Sequence, residues 1–286
     1  MLASNAWCCA QNPNFVNAYN SLTRNSVDSA KMFIDKAILD SSTHKDPQFW
    51  YVRSFIYKEL YKKYEMANKL SVYRDTAVSD LFVSVKLDSS DANKKDNYVT
   101  AKFLAGCYYN DASDMLDSLH YTTAKKYFGL FKATEMHMGA VSNVPSLEIP
   151  FDLKLGDLYS YLFFHALNDK TKKAFLDSAK NSYNGVLAIN PNNVSANYNL
   201  AILFYNQAVY IINETNYDDD ISKLNAAQDT SIHLAMQSLP FMQKTYQLDP
   251  GKKEAIKGLE GIYYLLHDTQ KFQEYEDKLK ELEGGK

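Results

Sequence analysis

The chain has 286 residues and a formal net charge of −3, with 31 lysine and arginine residues against 34 acidic residues and no cluster of basic side chains. This distribution provides no electrostatic footprint for nucleic acid or an anionic membrane, so we expect neither as a partner. With 22 tyrosines but only 10 glycines and 7 prolines, the composition favours helices over a sheet-rich fold with many tight turns.

The N-terminus has the pattern of a signal-peptide end, with the small residues Cys8 and Ala10 before Gln11. Two interpretations stay open. Either residues 1–10 are the remnant of a secretory signal peptide and the protein is periplasmic or attached to the cell envelope, or they are the ordinary N-terminus of a cytoplasmic protein. The longest apolar run, residues 161–167, is far shorter than the roughly 20 residues that span a bilayer, so no transmembrane segment is predicted.

Two helical patterns alternate along the chain, and no segment shows sustained alternation with a period of two. The first pattern places a large residue and a small residue before an aromatic one, and it occurs in WYVRSFIY (50–57), KFLAGCYY (102–109), KLGDLY (154–159), ANYNLAILFYN (196–206) and, with a glutamate at the small position, GLEGIYY (258–264). The second pattern has a small residue within the helix. It occurs in DSAKMFIDKAI (28–38), DTAVSDLFVSVKLD (75–88), YTTAKKYFGLFKA (121–133), DSAKNSYNGVLAINP (177–191) and LAMQSLPFMQKTYQLDP (234–250).

These segments resemble the tetratricopeptide repeat, a pair of antiparallel helices. Leu200, Ala201 and Phe204 follow the pattern of the family's first helix, and Tyr183 with Pro191 follows that of its second helix. The resemblance implies an all-α fold, an α-solenoid in which about six antiparallel helix pairs form a right-handed superhelix. It covers a single domain over residues 11–286, with the most regular repeats over residues 148–286.

The spacing between the two small residues of a pair predicts lengthened helices. The family pattern aligns Ala201 with Ser238, 37 positions later, and Ser54 with Ala77, 23 positions later. Both intervals are longer than in regular repeats of the family. We expect extra helical turns in these pairs, with Ala201 at the closest approach of two helices because its side chain is small.

An aspartate followed by a serine or threonine recurs before each of four predicted second helices, at Asp28-Ser29, Asp75-Thr76, Asp177-Ser178 and Asp229-Thr230. A short side chain with an oxygen acceptor is typical of the N-cap, where it accepts hydrogen bonds from free backbone N–H groups. We therefore predict that these four pairs cap the second helices.

No catalytic, metal-binding or cofactor-binding motif occurs in the sequence. The six histidines never have the spacing of metal ligands, and there is no glycine-rich phosphate loop or nucleophile elbow. Cys107 lies among apolar residues and is expected to be a buried structural thiol. We therefore expect a protein that is not an enzyme and has no cofactor or metal.

In the family's register, the face of the first helices that does not pack within a pair lines a concave surface, so the resemblance implies that a partner binds there. This face is aromatic, with a few lysines and amides, and its predicted binding residues are Tyr51, Phe55, Lys58, Lys102, Tyr109, Asn110, Tyr198, Ile202, Tyr205, Asn206, Lys257 and Tyr264.

Two functions fit this surface. The first is a protein–protein interaction scaffold that binds a peptide or helix of a partner in its concave face. The alternative is a carbohydrate-binding or small-molecule-binding protein of the bacterial envelope, in which tyrosine rings stack on sugar rings. The sequence does not predict the oligomeric state.

Overall fold

The computed structural model describes residues 12–139, 144–216 and 220–284. Within these ranges all regular secondary structure is helical, which confirms the predicted all-α class. The predicted signal-peptide remnant at residues 1–10 lies outside the described residues. No helix in the described ranges is both long and apolar enough to cross a membrane.

The described residues form twelve α-helices, which we number in chain order: α1 (Pro13–Thr23), α2 (Val27–Ala37), α3 (Pro47–Leu60), α4 (Val72–Leu87), α5 (Lys94–Asp114), α6 (Tyr121–His137), α7 (Val144–His165), α8 (Asp169–Ile189), α9 (Val194–Asn213), α10 (Ile221–Leu248), α11 (Lys253–Leu265) and α12 (Thr269–Gly284). A short 3₁₀ helix, Ser41–Lys45, precedes α3, and a π-helical turn, Tyr61–Glu65, follows it.

Contacts within the chain divide it into two compact units, Met1–Val144 and Pro145–Lys286. In the first unit, α1 packs on α2, α3 on α4, and α5 on α6. In the second unit, α9 packs on α10 and α11 on α12, while Tyr183 of α8 contacts Asp157 and Ser160 of α7. The predicted helix pairs are therefore present in each unit. The single right-handed superhelix over residues 11–286 stays a prediction.

The small residues of the repeat pattern lie where paired helices meet. The Ser54 hydroxyl on α3 donates a hydrogen bond of 2.7 Å to the carbonyl oxygen of Ala77 on α4. In the second unit, Ser231 and Ser238 on α10 donate to the carbonyl oxygens of Ala208 and Ala201 on α9, at 3.2 and 2.7 Å. Because residue numbers rise along α9 as they fall along α10, these contacts show that the two helices are antiparallel.

The predicted N-caps are wrong, since the second helices begin earlier than the acidic residues. Asp28 and Asp75 lie in the first turns of α2 and α4, after Ser26 and Ser71 at the N-cap positions. Asp177 lies well inside α8, which Asn168 caps by accepting a hydrogen bond from the Thr171 N–H group at 2.9 Å.

Asp229 likewise lies inside α10, which Asp220 caps. In α8 and α10, about two helical turns precede Asp177 and Asp229, so these two second helices are lengthened as predicted.

A candidate partner-binding groove

The second unit contains a groove between the first helices of its last two pairs. On α9, Tyr198, Ile202 and Tyr205 line the groove at intervals of four and three residues, so they share one helix face. On α11, Lys257 and Tyr264 line it in the same way. The groove has a volume of about 380 Å³, and we call it the α9–α11 groove.

Five of the twelve predicted binding residues therefore meet in one place, namely Tyr198, Ile202, Tyr205, Lys257 and Tyr264. Asn206 is exposed on α9 but does not line the groove. The binding of a partner by these residues stays a prediction.

The six predicted residues in the first unit include two that are buried. Tyr51 and Lys58 are 3% and 8% exposed, so the expectation that they are open to a ligand is corrected. The Lys58 ammonium group lies 3.7 Å from the ring centroid of Phe55, which also contacts Tyr51. Tyr51 and Lys58 belong to α3, and both α1 and α5 pack on this helix.

The other residues predicted in the first unit differ in exposure. Lys102 and Asn110 are exposed on α5. Tyr109 is half-buried, and its ring packs at 6.3 Å from that of Phe128 and 5.4 Å from that of Phe131.

Glycines of α11 allow its neighbours to approach closely. A Cβ atom at Gly261 would overlap the hydroxyl oxygen of Tyr205, and one at Gly258 would overlap the side chain of Met242 on α10. Glycine in a helix interior costs about 1 kcal/mol relative to alanine, so these glycines serve the packing of α11 rather than its helical propensity.

The tyrosine hydroxyls of the groove differ from those of Tyr108 and Tyr183 in the core. In the described part of the chain, the hydroxyl groups of Tyr198, Tyr205 and Tyr264 have no hydrogen-bond partner. By contrast, the hydroxyl groups of Tyr108 and Tyr183 donate to carboxylates, each at 2.7 Å. The hydroxyls of Tyr108 and Tyr183 are therefore satisfied within the protein, while those of the three groove tyrosines are open to solvent or a ligand.

Two of the groove tyrosines, Tyr198 and Tyr205, have a raised pKa and stay protonated at neutral pH. Burial raises the pKa of Tyr198, and the Glu254 carboxylate raises it further. Burial also raises the pKa of Tyr205, with a contribution from Glu260. A neutral phenol both donates and accepts a hydrogen bond, so each hydroxyl can serve a ligand donor or a ligand acceptor.

Charges of both signs lie at the groove. The Lys252 ammonium group lies 4.9 Å from the ring centroid of Tyr198 and 3.7 Å from Glu254. Lys257 forms no ion pair with any residue that the structure describes. The remaining charged residue of the lining is Glu260. A strongly charged ligand of either sign would therefore meet a like charge in this groove.

Sequence reasoning missed several groove residues, namely Glu254, Gly258, Glu260, Gly261 and Phe272. One signal for the glycines was present in GLEGIYY, where two glycines interrupt a helical pattern at an interval of three. Phe272 carries no such signal, because it belongs to α12 and reaches the groove only through the packing of the last pair.

The described residues contain no group of three or more His, Cys, Asp or Glu side chains arranged to hold a metal ion. Cys107 is a half-buried free cysteine, and burial raises the pKa of its thiol. The candidate site is therefore the α9–α11 groove, whose chemistry is that of hydrogen bonding and apolar contact.

Comparison with known proteins shows only distant likeness. No family model matches the chain, and neither does any curated protein. A structure of a monomeric IFIT1 mutant with m7Gppp-AAAA has a TM-score of 0.34 and 12% identity, with 93% of this chain and 58% of that chain covered. The human IFIT1 dimer with m7Gppp-AAAA gives 0.33 and 11%, with 92% and 58% covered. This chain thus spans about 58% of the length of the chains in both structures. A likeness with these TM-scores does not show that this chain binds the same ligand.

Proposed function

We propose that this chain is a non-enzymatic binding scaffold of the tetratricopeptide-repeat type, which takes an extended peptide segment of a partner protein into the α9–α11 groove. The observation that carries this proposal is the set of three groove tyrosines, Tyr198, Tyr205 and Tyr264, whose hydroxyls have no partner among the described residues. Hydroxyls that serve neither the core nor a helix end are available to a ligand.

An extended peptide matches these hydroxyls. Its main chain presents a donor and an acceptor at nearly every residue, and neutral phenols pair with both. The tyrosine rings, Ile202 and Phe272 offer apolar surface to its side chains. Tyrosine is enriched at protein interfaces because it combines a large apolar area with a polar tip.

Nucleic acid fits the groove less well. A phosphate backbone is held by several lysine or arginine side chains, whereas the lining provides Lys257 together with Glu254 and Glu260. We therefore propose a protein partner, in whichever compartment the chain resides.

The test is a selection of random twelve-residue peptides on the immobilised full-length chain, followed by fluorescence anisotropy with the selected peptides. The triple variant Tyr198→Phe, Tyr205→Phe, Tyr264→Phe keeps the rings and removes the hydroxyls. We expect peptide affinity to fall by about tenfold or more, since a hydrogen bond contributes roughly 0.5–1.5 kcal/mol. The melting temperature should stay unchanged, because no described protein group loses a partner.

Tyr108→Phe is the matched control. It removes a hydroxyl that donates to Asp75 at 2.7 Å, so it should lower the free energy of unfolding by about 1 kcal/mol and leave peptide affinity unchanged. Selected peptides that bind the triple variant as well as the parent would contradict the proposal. A glycan array and single-stranded RNA complete the test: binding there that the triple variant loses would assign the groove to a sugar or to nucleic acid instead.

A further inference from the structure

A second cavity, of about 360 Å³, adjoins the α9–α11 groove in the same unit. It lies where α9 ends and α10 begins, beside the C-terminal end of α11. Its aliphatic lining consists of Ile212 from α9, Leu224, Ala227 and Ile232 from α10, and Leu265 from α11. We call this cavity the aliphatic pocket.

The pocket results from a mismatch in helix length. α10 has 28 residues, whereas α11 has 13 and ends at Leu265. Ala235 and Met242 of α10 join the core that α11 forms with its neighbours. The earlier turns of α10 extend past this core, so Leu224, Ala227 and Ile232 remain only half-buried. The lengthening of the helices thus leaves an apolar surface that the shorter pair does not cover.

Several polar groups around the pocket are already satisfied, although the Tyr264 hydroxyl at its edge has no partner among the described residues. The hydroxyl groups of Thr215 and Ser231 donate to the carbonyl oxygens of Ile211 and Ala208, at 2.7 and 3.2 Å. The Gln228 amide donates to Nε2 of His267 at 3.2 Å. The pocket therefore differs from the groove, whose hydroxyls are unpaired, and it favours an apolar group that makes no hydrogen bond.

Tyr264 connects the two cavities, because it lines both of them. Its side chain is 67% exposed, and its ring lies 5.8 Å from that of Phe272. A segment that lies in the groove and continues past Tyr264 arrives at the aliphatic pocket.

We infer that the aliphatic pocket is a second recognition site, which receives a leucine-like side chain from the end of the partner segment that passes Tyr264. This inference rests on the proposed function, since the same segment occupies both cavities. It adds a requirement on the partner segment. The part in the groove makes hydrogen bonds and apolar contacts, and the part that continues past Tyr264 carries one aliphatic residue.

The first experiment uses N-acetyl-leucine methylamide as a probe of the pocket, followed by ¹H–¹⁵N spectra of the full-length chain. We expect saturable shifts at the amides of Ala227 and Leu265, and none with N-acetyl-serine methylamide. In Ala227→Trp the new ring fills the pocket, so these shifts should disappear. Ala226→Trp is the matched control, because Ala226 is exposed on the same helix and does not line the pocket. Leucine-probe shifts that persist in Ala227→Trp, or that never occur, would overturn the inference.

The second experiment uses the peptides selected on the groove. We expect them to share an aliphatic residue at one end and to bind Ala227→Trp about tenfold or more weakly, whereas Ala226→Trp should bind them as the parent does. Leu224→Gln provides a second variant with an altered lining, and thermal melting checks that each variant is folded. If selected peptides depend on the three groove tyrosines but not on Ala227, this inference fails and the proposed function stands. If no peptide is selected, the proposed function fails and the inference with it.

Discussion

The Ser238 hydroxyl on α10 donates a 2.7 Å hydrogen bond to the carbonyl oxygen of Ala201 on α9, and both residues are fully buried. The same relationship occurs in the other unit, where Ser54 on α3 donates to Ala77 on α4. A small side chain on each helix brings the backbones close enough for this bond. The repeat pattern in the sequence therefore locates the points where paired helices touch.

Replacing Ala201 with leucine should destabilise the second unit. The side chain of Ala201 is fully buried against α10, so a larger one overpacks the contact and should lower the free energy of unfolding by about 1–3 kcal/mol. Urea denaturation followed by circular dichroism measures this. Asn206→Leu is the control, because Asn206 is exposed on the same helix and its variant should change stability by less than about 0.5 kcal/mol. Equal stability of Ala201→Leu and the parent would show that the helices separate there without cost.

Gly261→Ala tests the contact between α11 and Tyr205. Alanine favours a helix over glycine by about 1 kcal/mol, but its Cβ atom overlaps the Tyr205 hydroxyl, so we expect no gain in stability and weaker peptide binding. Gly129→Ala on α6 should raise stability by about 0.5–1 kcal/mol, because nothing lies within 4 Å of its new Cβ atom.

A double-variant cycle identifies the cause of the Gly261 effect. In the Tyr205→Ala background the overlap is absent, so Gly261→Ala should become stabilising, as at Gly129. The same loss of stability in both backgrounds would mean that Tyr205 is not responsible. The measurement is the melting temperature of the four proteins of the cycle.

Asp80 should make the stability of the first unit depend on pH. Its carboxylate is 2.5 Å from the Arg53 guanidinium, and burial raises its pKa to about 7, against the opposing effect of Arg53. In the unfolded chain the pKa is near 3.8, so the folded state binds more protons between these values. The free energy of unfolding contributed by Asp80 therefore falls as pH rises from about 4 to about 7.

Urea midpoints of the parent and of Asp80→Asn, measured between pH 4.5 and 7.5, test this dependence. The difference in stability between parent and variant should decrease as pH rises. Asp28→Asn is the control: hydrogen bonds from Lys63 and Tyr64 lower the pKa of Asp28, so its contribution is lost only at more acidic pH. A parent that gains stability relative to Asp80→Asn over this range would contradict the prediction.

Cys107 should react slowly with alkylating reagents. Burial raises the pKa of its thiol, and the thiolate is the reactive form. At pH 7.5, iodoacetamide should modify Cys107 at least about tenfold more slowly in the folded chain than in guanidinium chloride. Mass spectrometry of the Cys107 peptide separates this residue from Cys8 and Cys9. Equal rates in the two conditions would show a reactive thiol instead of a structural one.

The sequence predicted part of the candidate site. Tyr198 and Tyr205 lie three residues before and four residues after Ala201, so they share its side of α9, and the register of the repeat pattern assigned them to the groove. The same reasoning failed for Tyr51 on α3, which is 3% exposed. Periodicity assigns a side chain to a helix face, but it does not state how closely the next helix covers that face.

The sequence by itself determined which segments are helical and which residues meet within a pair, because these depend on local periodicity and on the size of single side chains. Only the tertiary structure decided which surfaces remain open. The α9–α11 groove depends on Gly261 meeting Tyr205, and the aliphatic pocket depends on α11 ending before α10 does. Both are relations between separate helices, fixed by side-chain packing and by differences in helix length, which no local pattern of residues encodes.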